Sequence, residues 1–227
     1  GRTLIIATGT NYRALGIPGE RAFGGLGVSY CVTCDAPLFR NKDVFVAGGG
    51  NAAVEAALDL AKIARSVTLV HRSQLRADAI LVDLLYANPK ITVHLRTRIL
   101  EVLGDDFMSG LRVEDLESGG QRTLQGVGLF VEIGRIPNSR YFRSHLDLNE
   151  YGEIIVSDRM ETNIPGVFAA GDVTNFPYKQ IVVAASQGAI AALAANDYIY
   201  QKKPDENRNR KAAEYRLDAL LNSVESV

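Results

Sequence analysis

Hydrophobic positions along the chain fall into short continuous runs, alternating segments and helical stripes, and their order predicts an α/β protein. The run Thr3-Leu4-Ile5-Ile6-Ala7-Thr8-Gly9 is apolar and stopped by glycine, the pattern of a strand buried on both faces. Residues 11–29 are glycine-rich and carry Ile17-Pro18-Gly19-Glu20, which predicts a loop and crossing segment. A second apolar run, Asp43-Val44-Phe45-Val46-Ala47, enters Gly48-Gly49-Gly50 and then the helical pattern Asn51-Ala52-Ala53-Val54-Glu55-Ala56-Ala57-Leu58. Residues 66–70 form the next strand. Residues 79–87 predict a helix with Ile80, Leu81, Leu84 and Leu85 on one stripe, ended by Asn88-Pro89. Short strands are expected at 91–95, 99–103, 111–116, 128–133, 154–156 and 167–170, and a long alanine-rich helix at 180–198. In the tail, Leu217, Leu220, Leu221 and Val224 share helical spacing, a face for its own domain or for a partner. No repeat of 20–50 residues is visible.

Composition narrows the class. At 227 residues, 47% hydrophobic and with a net charge of −1, the chain can bury a sizeable core and shows no basic surplus for nucleic acid or an anionic membrane surface. No apolar run reaches the roughly 20 residues of a membrane helix. Two cysteines in a chain of this length do not make a disulfide scaffold, so a reducing, cytoplasmic setting is expected.

Those two cysteines lie in Tyr30-Cys31-Val32-Thr33-Cys34-Asp35. C-x-x-C spacing lets two thiols close a small ring and favours a reactive thiolate, and Asp35 is placed to pass a proton during thiol-disulfide exchange. Half a metal site and a structural bridge are the competing readings. A zinc site wants four ligands, and His71, His94 and His145 are scattered, so redox chemistry is favoured and no metal is expected. His94 alternates with Thr92 and Arg96 and reads as structural.

The glycine run reads G-x-G-x-x-A between a strand and a helix, the context a dinucleotide fingerprint requires. Gly48 allows the tight turn, Gly50 lets a pyrophosphate approach the backbone, and Ala53 keeps helix close to strand. At the end of the next strand, where an acid would bind the ribose hydroxyls of NAD, stands His71-Arg72-Ser73-Gln74-Leu75-Arg76. Two cations suit a 2′-phosphate and point to NADPH, with two solvated surface arginines as the bland alternative. Gly171-Asp172 closes the run 167–170. An Asp there can accept from ligand hydroxyls or simply form a turn.

In order, C-V-T-C-D, G-G-G-N-A-A-V-E, H-R, I-G-R-I-P-N, V-F-A-A-G-D-V and Y-K-Q closely resemble the thioredoxin reductase family of low molecular weight flavoproteins, which includes the flavoprotein component of alkyl hydroperoxide reductase. The resemblance covers residues 1 to about 200. It implies two Rossmann-like dinucleotide-binding domains, with an NADPH domain carrying the Cys pair inserted into an FAD domain. The divisions expected are 1–29 (FAD-domain segment), 30–134 (NADPH domain), 135–200 (FAD-domain C-terminal segment) and 201–227 (linker and helix). It implies Cys34 as the thiol facing the flavin, Cys31 as the thiol that attacks the substrate, and Asp35 as acid/base. Gly48, Gly50, Asn51, Ala52 and Ala53 would cradle the pyrophosphate, Arg72 and Arg76 the 2′-phosphate, and Ile133-Gly134 the nicotinamide end. Gly171, Asp172, Gln180 and Ile181 would contact FAD. Two features depart from the pattern: His71-Arg72-Ser73 stands for the usual H-R-R in a loop one residue shorter, and the first FAD fingerprint is not found. The FAD domain is therefore expected to be incomplete at its N-terminus, and this chain alone to hold NADPH but little FAD. The resemblance implies electron flow from NADPH through FAD and the disulfide to a thioredoxin-like protein, in a homodimer. The alternatives are service to a peroxidase system and a nucleotide-binding module without turnover.

Overall fold

The computed structural model describes residues 1–201. In chain order the elements are β1 (Leu4–Ile6), β2 (Thr10–Tyr12), β3 (Val28–Ser29), α1 (Val32–Asp35), β4 (Asp43–Ala47), α2 (Asn51–Ala61), β5 (Ser66–Val70), α3 (Ala79–Ala87), β6 (Ile91–His94), β7 (Thr97–Gly104), β8 (Met108–Asp115), β9 (Gln121–Gln125), β10 (Gly128–Val131), β11 (Arg135–Pro137), β12 (Val167–Ala169) and α4 (Ile181–Gln201). The chain divides into two compact units. One is Tyr12–Gly134, and the other joins Gly1–Asn11 to the chain from Arg135 onward. Residues 12–29, expected with the first segment, thus belong to the same unit as the cysteines. Their strand β3 pairs in its sheet, so the boundary follows hydrogen bonding rather than the glycine-rich composition.

In the unit Tyr12–Gly134, five parallel strands run in the order β3-β10-β4-β5-β6. Strand β4 shows why its sequence is a continuous apolar run. Val44 and Val46 point into a core with Val54, Ala57 and Leu60 of α2, while Phe45 and Ala47 point into a second core with Leu111 and Val113 of β8. Period-two alternation with both faces covered leaves no position for a polar side chain. The second cover is the antiparallel sheet β7-β8-β9. Strand β9 is polar and mostly exposed, which is why hydrophobic patterning does not reveal it.

The predicted helix at 79–87 forms as α3, but its four apolar residues do not share one burial. Leu85 is fully buried and Leu81 packs partly on the core, whereas Leu84 is 52% exposed. Positions 80 and 84 form one row and 81 and 85 the next, and only the second row faces α2 and the sheet. Lys90 caps the C-terminal end of α2, its Nζ donating to the carbonyls of Ala61 (3.0 Å) and Ala64 (3.1 Å).

In the other unit β1 pairs in parallel with β12. Val167 and Ala169 face a core with Ile6, Phe142 and Ile154, and Phe168 and Ala170 face Ala191, Ala194 and Ala195 of α4. Two expectations need correction here. Ile5 is exposed, so the opening run is not buried on both faces. Residues 154–156 form no strand; Ile154 makes only isolated bridges to Leu148 and Thr174, because each flanking residue spends its hydrogen bonds on loop partners. The helix expected in the tail lies outside the described residues.

The two rows of α3 separate by mutation. Leu85→Ala should cost about 2–5 kcal/mol of unfolding free energy, while Leu84→Ala should stay within about 0.5 kcal/mol. Chemical denaturation of both variants checks this, and equal losses would contradict the assigned facing.

Candidate active site

The cysteines sit where a sheet strand gives way to a single helical turn. Strand β3 is held in the sheet by β10, with Ser29 opposite Phe130, and the chain then turns so that Cys31 caps α1. Cys31 and Cys34 are joined in a disulfide. The amide of Cys34 donates to Cys31 Sγ at 3.2 Å. A donor aimed at one sulfur stabilises negative charge on that atom once the bridge is reduced, whichever atom the solvent reaches first. Cys31 is half-buried and Cys34 exposed.

Sequence reasoning missed Ser29. Its buried hydroxyl donates to Asp35 Oδ2 at 2.7 Å and accepts the Cys31 amide at 3.1 Å, so one side chain ties the carboxylate to the backbone of the cysteine. The only signal was its position two residues before Cys31, which periodicity does not distinguish from any other strand end.

A second brace lies behind the pair. Glu20 is buried and accepts from the amides of Leu15 (2.8 Å) and Gly16 (2.7 Å) and from the Tyr30 hydroxyl (2.9 Å). Burial, then the hydrogen bond to Glu20, push the Tyr30 phenol up to about 12, so it remains a neutral donor at any physiological pH. Tyr12 stacks on the same ring with centroids 5.2 Å apart.

The glycine turn lies at the carboxyl end of β4. Gly48 adopts φ +151°, and a Cβ there would overlap the Glu132 carbonyl oxygen and crowd Ala53, so both backbone conformation and packing demand glycine. Gly49 lies against the His71 ring. Gly50 faces open space and caps α2 without a side chain, leaving the first amides of the helix uncovered by any side-chain acceptor. Ala53 is fully buried and Ala52 exposed. The Asn51 side chain turns to Asp78: Oδ1 accepts the Asp78 amide at 2.8 Å and Nδ2 donates to Asp78 Oδ2 at 2.9 Å.

Arg72 and Arg76 are both exposed on the loop that follows β5, and the Arg76 amide donates to the Gly49 carbonyl at 2.7 Å. Burial, with Arg76 and Arg72 nearby, presses the His71 ring below its ordinary pKa, which keeps it neutral. Ile133 and Gly134 follow β10, whose Val131 lies opposite Ala47 of β4. Gly134 adopts φ +100° and its carbonyl accepts the Arg13 amide at 3.0 Å. The chain leaves β4 toward β5 on one side and arrives at β10 on the other, so the gap between β4 and β10 is the switch point of this sheet, the place where open α/β sheets bind ligands. Gly48, Gly50 and Ile133-Gly134 flank it together, and these features fit a dinucleotide. His94, read as structural, is half-buried and within 3.2 Å of Arg122.

In the other unit Gly171 takes φ +79° at the end of β12, and its amide is held by Gln187 Oε1 at 2.7 Å. The Asp172 carboxylate is partly exposed, 3.9 Å from Arg135. Gln180 is half-buried just before α4, and Ile181 is 91% exposed. Among the described residues no group of three His, Cys, Asp or Glu side chains could hold a metal, and no helix is long and apolar enough to cross a membrane.

The unit Tyr12–Gly134 thus joins a parallel nucleotide-type sheet to a C-x-x-C disulfide beside strand β3, the feature pair of a nucleotide-linked disulfide oxidoreductase. Comparison with known proteins agrees. Residues 1–188 match the family described as pyridine nucleotide-disulphide oxidoreductase, and the chain belongs to that family. An alkyl hydroperoxide reductase component of Staphylococcus epidermidis is 45% identical over 199 residues, covering 87% of this chain and 39% of that protein. Its Staphylococcus aureus namesake is 47% identical with the same coverage. Thioredoxin reductase from Streptococcus pyogenes superposes with a TM-score of 0.84 at 40% identity, covering 88% of this chain and 66% of that one. The enzyme from Giardia duodenalis gives 0.82 at 36%, covering 87% and 66%. The chain thus spans about two fifths of the curated relatives and just under two thirds of the solved chains.

The Ser29 tie yields a test. Ser29→Ala should slow thiol-disulfide exchange at the Cys pair by about tenfold, the worth of one hydrogen bond to a charged group, while Ser29→Thr keeps most of the rate. Stopped-flow alkylation of the reduced pair across pH reads both variants; an alanine variant as fast as the unmodified protein at every pH would remove Ser29 from the chemistry.

Proposed function

We propose that this chain is the core of an NADPH-dependent flavoprotein disulfide reductase that delivers electrons to a thioredoxin-like protein. The observation that carries the reading is the convergence, in one compact unit, of an open glycine turn at the β4/β10 switch point and a braced C-x-x-C disulfide. In this reading the unit Tyr12–Gly134 holds NADPH, and 1–11 with 135–200 contribute to FAD binding. Gly48 and Gly50 admit the pyrophosphate, with Asn51, Ala52 and Ala53 contributing the backbone of the helix start. Arg72 and Arg76 meet the 2′-phosphate. Ile133-Gly134 border the nicotinamide end. Gly171, Asp172, Gln180 and Ile181 lie at the flavin side, Asp172 accepting from hydroxyls.

Bound FAD would supply the two-electron relay between NADPH and the disulfide. The protein's own steps balance around the sulfurs. Reduction of the Cys31–Cys34 bridge takes two electrons and two protons, and in this reading Asp35, held by Ser29, passes a proton at the cysteine pair. The Cys31 thiolate, stabilised by the Cys34 amide, attacks the partner disulfide and expels one partner thiolate. Cys34 then attacks the mixed disulfide, releasing the second partner thiolate and restoring the bridge.

A second reading, delivery to a peroxidase system, is favoured by the names of the curated relatives, both components of alkyl hydroperoxide reductase. Cytoplasmic placement belongs to the proposal and is supported by the sparse cysteines. A homodimer belongs to it as well, supported by the exposed apolar residues Ile181, Val182 and Leu193 along α4.

Two measurements test the proposal. NADP⁺ should bind more tightly than NAD⁺ by calorimetry, and Arg72→Ala should erase most of the difference, a loss of about 1.5–3 kcal/mol; equal affinities in the unmodified protein would end the NADPH assignment. With a single-cysteine thioredoxin-like partner, Cys34→Ser should trap a mixed disulfide through Cys31, and Cys31→Ser should trap none. Mass spectrometry showing the reverse pattern would exchange the two roles.

A further inference from the structure

We infer that Asp78, acting through Asn51, is a positioning residue that sets the preference of the switch-point crevice for nucleotides bearing a 2′-phosphate; this rests on the NADPH reading above.

Asp78 directly precedes α3, the place where an aspartate ordinarily accepts from the first amides of its own helix. It makes no such bond here. Its carboxylate instead accepts from Asn51 Nδ2, and its amide donates to Asn51 Oδ1. Asn51 in turn is the first residue of α2, immediately after the open Gly50. Two residues that local structure would use otherwise are therefore joined to each other, 27 positions apart in sequence. Local helix formation explains neither side chain's orientation.

What the pair joins is the glycine turn and the arginine loop. The loop leaves β5 at His71, whose ring packs on Gly49 and whose Nε2 lies 3.0 Å from Ser73 Oγ. Farther on, the Arg76 amide donates to the Gly49 carbonyl at 2.7 Å. The Asn51–Asp78 pair closes the loop at its far end. Arg72 and Arg76 thus sit on a segment tied to the turn at both ends before any ligand arrives. Preorganisation of this kind removes an ordering cost from binding, and only a ligand that uses the arginines collects the benefit. A nucleotide without the 2′-phosphate reaches the turn and the helix start but gains little from a fixed loop. Both side chains of the pair are exposed, so breaking it should leave the fold intact.

The experiment is calorimetric titration of the full chain with NADP⁺ and NAD⁺, reading the ratio of the two affinities. In Asn51→Ala the ratio should fall about three- to tenfold, one to two modest hydrogen bonds. Loss of a phosphate contact by Asn51 itself would instead weaken both nucleotides equally and overturn the inference. Asp78→Ala and Asp78→Asn lose the same charge, but only the second keeps an acceptor for Asn51, so the ratio should be about threefold or more lower in the alanine variant. Equal ratios in those two variants would also overturn it. The double variant Asn51→Ala, Asp78→Ala should fall no further than Asn51→Ala, as expected for a shared interaction. An unmodified protein with no preference for NADP⁺ would remove the NADPH reading and this inference together, whereas a clear preference that none of the variants changes would remove the inference alone.

Discussion

Packing around Gly48 leaves no room for a Cβ, and much of the architecture follows from it. A side chain there would meet the Glu132 carbonyl on one side and Ala53 on the other. Three elements therefore meet at a point with no Cβ: the end of β4, the end of β10 and the first turn of α2. With β4 and β10 this close, their carboxyl ends open onto one crevice. With Ala53 rather than a larger residue facing the turn, α2 starts near enough to present its amides there. A methyl group added at Gly48 would have to push apart two parallel strands that are otherwise fixed by consecutive hydrogen bonds, a cost no flexible side chain can absorb.

Strand β10 also carries the redox segment, which links the two chemistries mechanically. Its Phe130 lies opposite Ser29 of β3, and the Phe130 ring meets Phe39 edge-on, with centroids 5.1 Å apart, just after the Cys pair. Gly128 on the same strand has no room for a Cβ because the Phe39 ring occupies that space. The disulfide turn is thus clamped from both ends, by Ser29 before it and Phe39 after it.

Much of this is legible in the sequence because it is written in local patterns. The two-sided burial of β4, the G-x-G-x-x-A turn and the C-x-x-C pair each depend on residues within a few positions of one another, and spacing alone exposes them. What escapes reading depends on contacts distant in sequence or on polar segments. Glu20 looks like a loop residue beside Pro18-Gly19, and its buried role appears only when Leu15, Gly16 and Tyr30 close around it. By following Gly50 in sequence, Asn51 reads as a phosphate neighbour, while the partner its side chain meets, Asp78, lies in another loop. The α3 stripe misleads for a different reason: four leucine-like residues at i, i+1, i+4 and i+5 span two rows, and periodicity cannot tell which row a neighbour will cover.

Charge at the crevice follows from the same packing. His71 sits between Gly49 and the two arginines, and burial together with their positive charge keeps the ring uncharged. A protonated ring there would add a third cation beside Arg72 and Arg76. Kept neutral, the ring instead serves as a flat spacer that accepts or shares a proton with Ser73 and lets the loop lie on the glycine turn. The positive charge offered to an anionic ligand then comes from the exposed Arg72 and Arg76. The crevice separates the two tasks: the imidazole supplies shape and the arginines supply charge.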